Sequence, residues 1–250
     1  MKKTYAIFKK ELKHYFYSPM AYIMLTVFLF ISSWFFTGML DTYISLSINS
    51  LNPYGQSYTL SLDRDFFGPF IVNMAIIFLF FMPFLTMRVI SEERKMGTFE
   101  LLATSPLKNI HIILGKYFAV IFLYLIMLLF TVVYFLGVYF VFPFNIQVLL
   151  VCYLGIFLLG STFLAIGFFC SSLFKQPIFA AVTTFGVLLL LWIAGWGVLG
   201  DFGKEISIIT HIESFTKGII SLKDVFYFGI VIFFSLFSAN LYIDSIRWRE

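Results

Sequence analysis

Apolar residues occur in six long runs separated by short polar stretches. The runs cover residues 20–40, 66–87, 112–142, 148–174, 178–199 and 223–246. Each is about 20 residues or longer, the length that an α-helix needs to cross the hydrocarbon core of a bilayer. The pattern predicts an all-α polytopic membrane protein in which residues 1–250 form a single transmembrane domain with six spans.

The N-terminal segment, residues 1–17, predicts an additional helix of a different kind. On a helical wheel Tyr5, Phe8 and Leu12 share one side, and the lysines occupy the neighbouring arc. A basic helix with one apolar side lies in the membrane interface. An ordinary positively charged flank of the first span is the alternative, and it is compatible with such a helix.

Two further polar segments lie between the predicted spans. Residues 42–65 are rich in Ser, Asn, Gly and Tyr and predict an external loop. Residues 201–222 are amphipathic and predict one or two short external helices at the membrane interface, with a plain loop as the alternative.

Composition supports a membrane protein, and the distribution of charge predicts its orientation. The chain is 61% hydrophobic and only 12% charged, against about 25% charged residues in soluble domains. Thirteen of the 17 lysines and arginines fall on the side that holds both termini and the stretch 88–116. Under the positive-inside rule this side faces the cytoplasm. The lysines and arginines that give the net charge of +4 flank the predicted spans and do not form a patch, so no nucleic-acid partner is expected.

The stretch 88–116 is a polar island between two charge-free runs. Gly97 interrupts its pattern, and Thr98 can cap a short helix through its side-chain oxygen. Glu100 would lie in the first turn, where the helix dipole favours a carboxylate. Leu101 and Leu102 would form an apolar edge, and Pro106 would end the helix. Such a helix is too short to span a bilayer and suits contact with another subunit.

The sequence offers no catalytic or metal-binding pattern of its own. Gly115-Lys116 lacks the upstream glycine of a phosphate-binding loop, and the spaced glycines 195–200 follow a span where a strand would be required. Cys152 and Cys170 would be about 27 Å apart on one helix and predict two buried thiols. The spans hold almost no ionisable residues, which argues against proton or sodium coupling within the chain. We therefore expect a non-catalytic subunit without a cofactor.

Three stretches together resemble the type-2 ABC exporter permeases. The first is Glu92-Glu93-Arg94-Lys95-x-Gly97-Thr98-x-Glu100-Leu101-Leu102, followed by Pro106 and Gly115-Lys116; the second is Phe16-Tyr17-Ser18-Pro19-Met20-Ala21-Tyr22; the third is His211-Ile212-Glu213-Ser214-Phe215-x-x-Gly218-Ile219-Ile220, followed by Lys223-Asp224-Val225-x-Tyr227-Phe228. The third is most similar to the branch of gliding-motility permeases and of the permease for nitrous oxide reductase maturation.

The resemblance implies specific roles for several segments. Residues 1–17 would be the family's amphipathic elbow helix, and residues 88–111 its cytoplasmic coupling loop. The residues carried over as contacts of the ATPase subunit are Glu92, Glu93, Arg94, Gly97, Thr98, Glu100, Leu101, Leu102 and Pro106. His211, Glu213 and Phe215 are candidates for contact with an external partner.

Two functions are compatible with that resemblance. In the first, the chain pairs with a second permease copy, identical or paralogous, and with ATPase subunits that bind ATP and magnesium, and it exports a substrate across the bacterial inner membrane. In the second, the same assembly relays ATPase work to a periplasmic or membrane accessory subunit and moves no substrate. The segments 42–65 and 201–222 would then be the external contacts.

Overall fold

The computed structural model describes residues 2–50, 63–98, 109–140, 144–196 and 200–247. These residues form ten α-helices: α1 (Lys2–Tyr17), α2 (Pro19–Ser50), α3 (Gly68–Thr86), α4 (Ser91–Lys95), α5 (Asn109–Tyr139), α6 (Ile146–Leu173), α7 (Pro177–Ile193), α8 (Gly200–Ile206), α9 (Ile208–Thr216) and α10 (Leu222–Arg247). A π-helical turn, Asp63–Phe67, precedes α3, and a 3₁₀ turn, Ala194–Trp196, follows α7.

Six helical segments are long and apolar enough to cross a membrane. They are Pro19–Asn49, Asp65–Lys95, Asn109–Tyr139, Ile146–Leu173, Pro177–Trp196 and Leu222–Ser245. The prediction of an all-α protein with six spans is therefore confirmed by length and composition.

Helix α6 lies at the centre of the bundle. It packs against α3, α5, α7, α9 and α10. In its most apolar stretch 67% of the residues are buried, against 17% in α2. Helix α6 contacts both α4 and α9, which lie at opposite ends of the bundle. Helix α2, in contrast, presents most of its apolar surface outward.

The two ends of the bundle carry different elements. The end beside the polar island 88–116, which we call the island end, holds α1, α4, the starts of α2, α5 and α7, and the last turns of α3, α6 and α10. The far end holds α8, α9 and the start of α10. Near the far end, phenylalanine rings from α2, α3 and α5 pack edge to face, with 5.0 Å between the ring centroids of Phe70 and Phe135 and 5.7 Å between those of Phe36 and Phe70. Such pairs add specific geometry to simple apolar burial.

Helix α2 is longer than the sequence predicts. The prediction of a loop from residue 42 is wrong for residues 42–50, which continue the helix to Ser50. Their polar side chains bond back to the preceding turn: the Thr42 hydroxyl donates to the Gly38 carbonyl at 2.8 Å, and the Ser45 hydroxyl to the Asp41 carbonyl at 2.8 Å. Polar composition without Gly or Pro thus did not end the helix.

In the segment 201–222 the structure has two short helices, α8 and α9. In the turn before α6, the Asn145 side chain accepts a hydrogen bond from the Gln147 backbone at 3.0 Å and caps the helix. Cys152 and Cys170 are both buried, and they form no disulfide with each other.

Candidate functional site

The chain between α3 and α4 is fastened to the last turn of α6. After α3 the backbone makes a turn over residues 87–90, and α4 begins at Ser91. The Ser171 hydroxyl of α6 accepts hydrogen bonds from the backbone N–H groups of Ile90 and Ser91, at 3.2 and 3.3 Å. It donates to the Met87 carbonyl at 3.3 Å. One buried hydroxyl therefore sets the position from which α4 leaves the bundle.

Arg94 links α4 to two further helices. Its guanidinium donates to the Ser172 carbonyl at the end of α6. The same group lies 5.7 Å from the centroid of the Tyr242 ring on α10, within the range of a cation–π contact. A displacement of α4 would consequently act on α6 and α10 together.

Lys116 is the centre of a buried ion cluster, which we call the inner cluster: Lys116, Glu11 and Glu93. Lys116 is only 3% exposed. Its Nζ donates to Glu11 of α1 at 3.0 Å, to Glu93 of α4 at 2.8 Å and to the Val89 carbonyl at 3.0 Å. The cluster thus joins α1, α4 and α5, which are far apart in the sequence. A buried charge of this kind needs close, well-oriented partners to offset its desolvation.

The carboxylates outnumber the ammonium groups in this cluster. All three N–H groups of Lys116 are used, and the second carboxylate oxygen of Glu93, Oε2, is buried with no partner among the described residues. Nearby, partial burial together with Glu11 and Glu92 raises the pKa of the Tyr15 hydroxyl above its ordinary value. The surroundings of Glu93 therefore favour an additional cation or hydrogen-bond donor.

Close packing of α1 on α5 brings the inner cluster together. A side-chain carbon at Gly115 would lie 2.9 Å from the Ile7 side chain and 3.1 Å from the Thr4 carbonyl, so only glycine fits without displacement. The Thr4 hydroxyl also lies 3.1 Å from His111 Nδ1. Glycine at position 115 hence lets α1 approach closely enough for Glu11 to reach Lys116.

The predicted ATPase-contacting residues fall into two groups. Glu93 and Arg94 make the contacts above; Glu92 is half-buried, and Gly97 has a φ of +70°, the left-handed conformation that often follows a helix end. The Thr98 hydroxyl donates to the Glu93 carbonyl at 3.3 Å. Residues Glu100, Leu101, Leu102 and Pro106 lie outside the described residues. Contact with an ATPase stays a prediction for the whole set.

The sequence interpretation missed half of this site. Lys116 was counted with the polar island and its span treated as almost free of ionisable groups, whereas it is buried within that span. Glu11 was not singled out, although it is the one carboxylate among the lysines of residues 1–17. That isolated acidic residue was the available signal.

A second buried polar group, the outer cluster, lies at the far end and consists of His211, Ser214, Asp224 and Tyr227. Asp224 Oδ1 lies 2.7 Å from His211 Nδ1, and its other oxygen accepts a hydrogen bond from Ser214. His211 Nε2 lies 3.0 Å from the Glu205 carbonyl. The Tyr227 ring stacks on the imidazole with 3.8 Å between centroids. This cluster fastens α8 and α9 to the first turns of α10.

The residues proposed to contact an external partner differ in exposure. His211 and Phe215 are buried, and the Phe215 carbonyl accepts a hydrogen bond from the Cys152 thiol of α6 at 3.3 Å. Glu213 is exposed and pairs with Lys217 at 2.8 Å. Partner contact at the far end stays a prediction, for which Glu213 is the one side chain of the three at the surface.

The sequence matches a known protein family. A family model described as "ABC-2 family transporter protein" matches residues 36–246, more than four fifths of the chain. The chain belongs to the ABC-2 transporter family. It is a multi-pass membrane component of an ABC transporter, and this family implies partnership with an ABC ATPase subunit. The comparison with curated proteins found no match.

The ABC-2 match includes α4, Lys116 and the outer cluster, and it begins within α2. Helix α1, which supplies Glu11, precedes the matched region. The inner cluster therefore joins a helix outside the family match to two elements inside it.

Proposed function

We propose that the chain is the permease subunit of an ABC exporter in which residues 88–111 receive mechanical work from a separate ATPase. The inner cluster is the observation that carries this proposal. Lys116 couples the segment that holds α4 to both α1 and α5 through short charge-assisted hydrogen bonds. Arg94 extends the linkage to α6 and α10.

The proposed cycle follows from these contacts. ATP and magnesium bind to the partner ATPase, whose closure displaces residues 88–111. Because α4 is tied to α1, α5, α6 and α10, the displacement moves these helices together instead of bending one loop. A second permease copy, identical or paralogous, would complete the pathway in the bacterial inner membrane, with both termini in the cytoplasm. The stretch from His211 to Phe228 resembles the branch of gliding-motility and nitrous-oxide-reductase-maturation permeases, and we propose membership of that branch.

The test separates contact with the ATPase from transmission through the bundle. Replacing Glu100 with Arg should weaken co-purification of the ATPase and lower ATP turnover. Replacing Lys116 with Met should leave co-purification largely intact while lowering substrate-stimulated turnover. Lys175, exposed at the same end, provides the control K175M, which should change neither. Unchanged assembly and turnover in both E100R and K116M would refute the coupling role.

One observation favours a second function, the relay of ATPase work to an external partner without transport. The outer cluster fastens α8 and α9 to α10, and Cys152 fastens α9 to the central helix α6. Movement of α6 and α10 would therefore displace α8 and α9 at the far end. Substrate flux measured on the reconstituted complex distinguishes the two functions, since a relay would hydrolyse ATP with no flux.

A further inference from the structure

An open cleft of about 440 Å³ lies at the island end between α1, the start of α2 and the end of α3. Its size is within the range of small-molecule sites. The cleft includes Ser18 and Met20, beside the start of the first candidate span, and lipid headgroups lie at such span boundaries. Its lining combines apolar residues that lie further into the spans with charged residues near the ends of the spans, and this combination indicates the kind of molecule it fits.

The lining residues that lie further into the spans are apolar. Met24 of α2, Phe84 of α3 and Leu123 of α5 are among them, and Phe84 is half exposed. An exposed phenylalanine beside a cleft at the membrane boundary suits an acyl chain better than a water-soluble ligand.

The lining residues near the ends of the spans carry charges of both signs. Lys10 and Arg88 are exposed cations that line the cleft, and Glu92 and Glu93 line it as well. The Glu93 Oε2 atom is buried without a partner among the described residues, while Lys116 has no N–H group left to offer it. These charges suit a ligand that brings a positively charged hydrogen-bond donor together with an anion.

We propose that this cleft binds a phospholipid with a primary ammonium headgroup, of the phosphatidylethanolamine class. Its ammonium group would donate to Glu92 and, after a small rotation of the Glu93 side chain that turns Oε2 toward the cleft, to Glu93; its phosphate would face Arg88 and Lys10, and one acyl chain would lie along Met24, Phe84 and Leu123. An anionic lipid without an amine would leave Glu93 unsatisfied. A quaternary choline headgroup carries positive charge but has no N–H to donate. The ligand would complete the inner cluster.

The test compares headgroups on the unmodified full-length permease without any ATPase. Binding of phosphatidylethanolamine, its mono- and dimethyl derivatives, phosphatidylcholine and phosphatidylglycerol, all with the same acyl chains, is measured by native mass spectrometry and by the shift in melting temperature. We expect phosphatidylcholine to bind about tenfold more weakly than phosphatidylethanolamine, or weaker still, because a hydrogen bond to a charged group is lost. The partly methylated lipids should bind with intermediate affinity.

Two neighbouring lysines give a matched pair of variants. Lys9 and Lys10 are both exposed on α1, but only Lys10 lines the cleft. K10Q and E92Q should weaken binding of phosphatidylethanolamine several-fold, whereas K9Q should not. Phosphatidylcholine or phosphatidylglycerol binding within twofold of phosphatidylethanolamine would overturn the proposal, as would equal loss in K9Q and K10Q. Because no ATPase is present, a failure here is distinguishable from a failure of the proposed function.

Discussion

The inner and outer clusters are both buried and polar, yet they differ in what they join. In the outer cluster His211 and Asp224 are 13 residues apart, and both carboxylate oxygens and both ring nitrogens have partners. In the inner cluster Lys116 reaches Glu11 across 105 residues and Glu93 across 23, and one carboxylate oxygen has no partner within the part of the chain that the structure describes. A fully satisfied polar cluster favours one arrangement, whereas a buried oxygen without a partner carries an energetic cost that a rearrangement or an added donor would relieve.

The comparison therefore assigns different roles to the two ends. The outer cluster should affect stability alone, and the inner cluster both stability and coupling. Four substitutions test that division, beginning with the largest expected effect.

Removing the ammonium of the inner cluster should have the largest consequence. K116M leaves two carboxylates facing each other in a buried site, and removing one partner of a buried pair costs about 3–5 kcal/mol. We expect a lower melting temperature of the purified permease and impaired coupling. Adding E11Q should recover part of the loss, because the second change relieves repulsion; strictly additive effects would contradict the cluster.

Breaking the outer cluster should cost less and leave coupling intact. D224N removes the charge that faces His211 and turns one acceptor into a donor, at a cost of about 1–3 kcal/mol. Thermal unfolding measures the loss, and ATP turnover per folded complex should stay at the wild-type level. E213Q, at an exposed position on α9, is the control. A D224N complex that is stable but uncoupled would instead favour the relay function.

Separating α1 from α5 should weaken the inner cluster without changing any charge. G115A places a methyl group against Ile7 and the Thr4 carbonyl, and such overpacking costs about 1–2 kcal/mol. The matched control is G137A on the same helix, where nothing lies within 4 Å of the added carbon. G115A should speed proteolysis of α1 in proteoliposomes, and equal cleavage in the two variants would contradict the packing argument.

The exposed pair of Glu205 and Lys223 should matter least. The Lys223 ammonium, 2.7 Å from a Glu205 oxygen, lowers the pKa of that carboxyl below its ordinary value. The pair therefore contributes stability above the ordinary glutamate pKa and loses it as the pH falls through the lowered value. K223Q should flatten that small acid dependence of the melting temperature and lower the melting temperature at pH 7 by the same small amount, with no effect well below the lowered pKa. A large change at pH 7 would mean that the pair does more than an exposed ion pair can.

Much of the fold could be predicted because long apolar runs correspond directly to helices that lie in lipid. The six spans and the two short helices before the last span follow from length and periodicity. The extension of α2 to Ser50 could not be predicted from composition, because its serines and threonines bond within the helix as readily as they would in a loop. Local polarity alone does not say whether a helix continues.

The candidate site was predictable only in part. The motif around Glu93 and Arg94 marked the segment, and its buried contacts were then supplied by side chains far away in the sequence. Glu11 and Lys116 meet because Gly115 admits α1, and no periodicity reports such a contact. His211 and Phe215 are the converse case, because the motif that singled them out as partner contacts contains residues whose side chains are buried.

Helix α2 has a mechanical consequence that follows from its length. Its 32 residues span about 48 Å, well beyond the roughly 30 Å hydrocarbon core, and only Ser18 separates it from α1. A helix of this length amplifies a rotation at its N-terminal end: a tilt of about 10° there would move its C-terminal end by about 8 Å. A modest rearrangement of α1 around Glu11 would thus become a sweep several times larger on the opposite side of the bilayer.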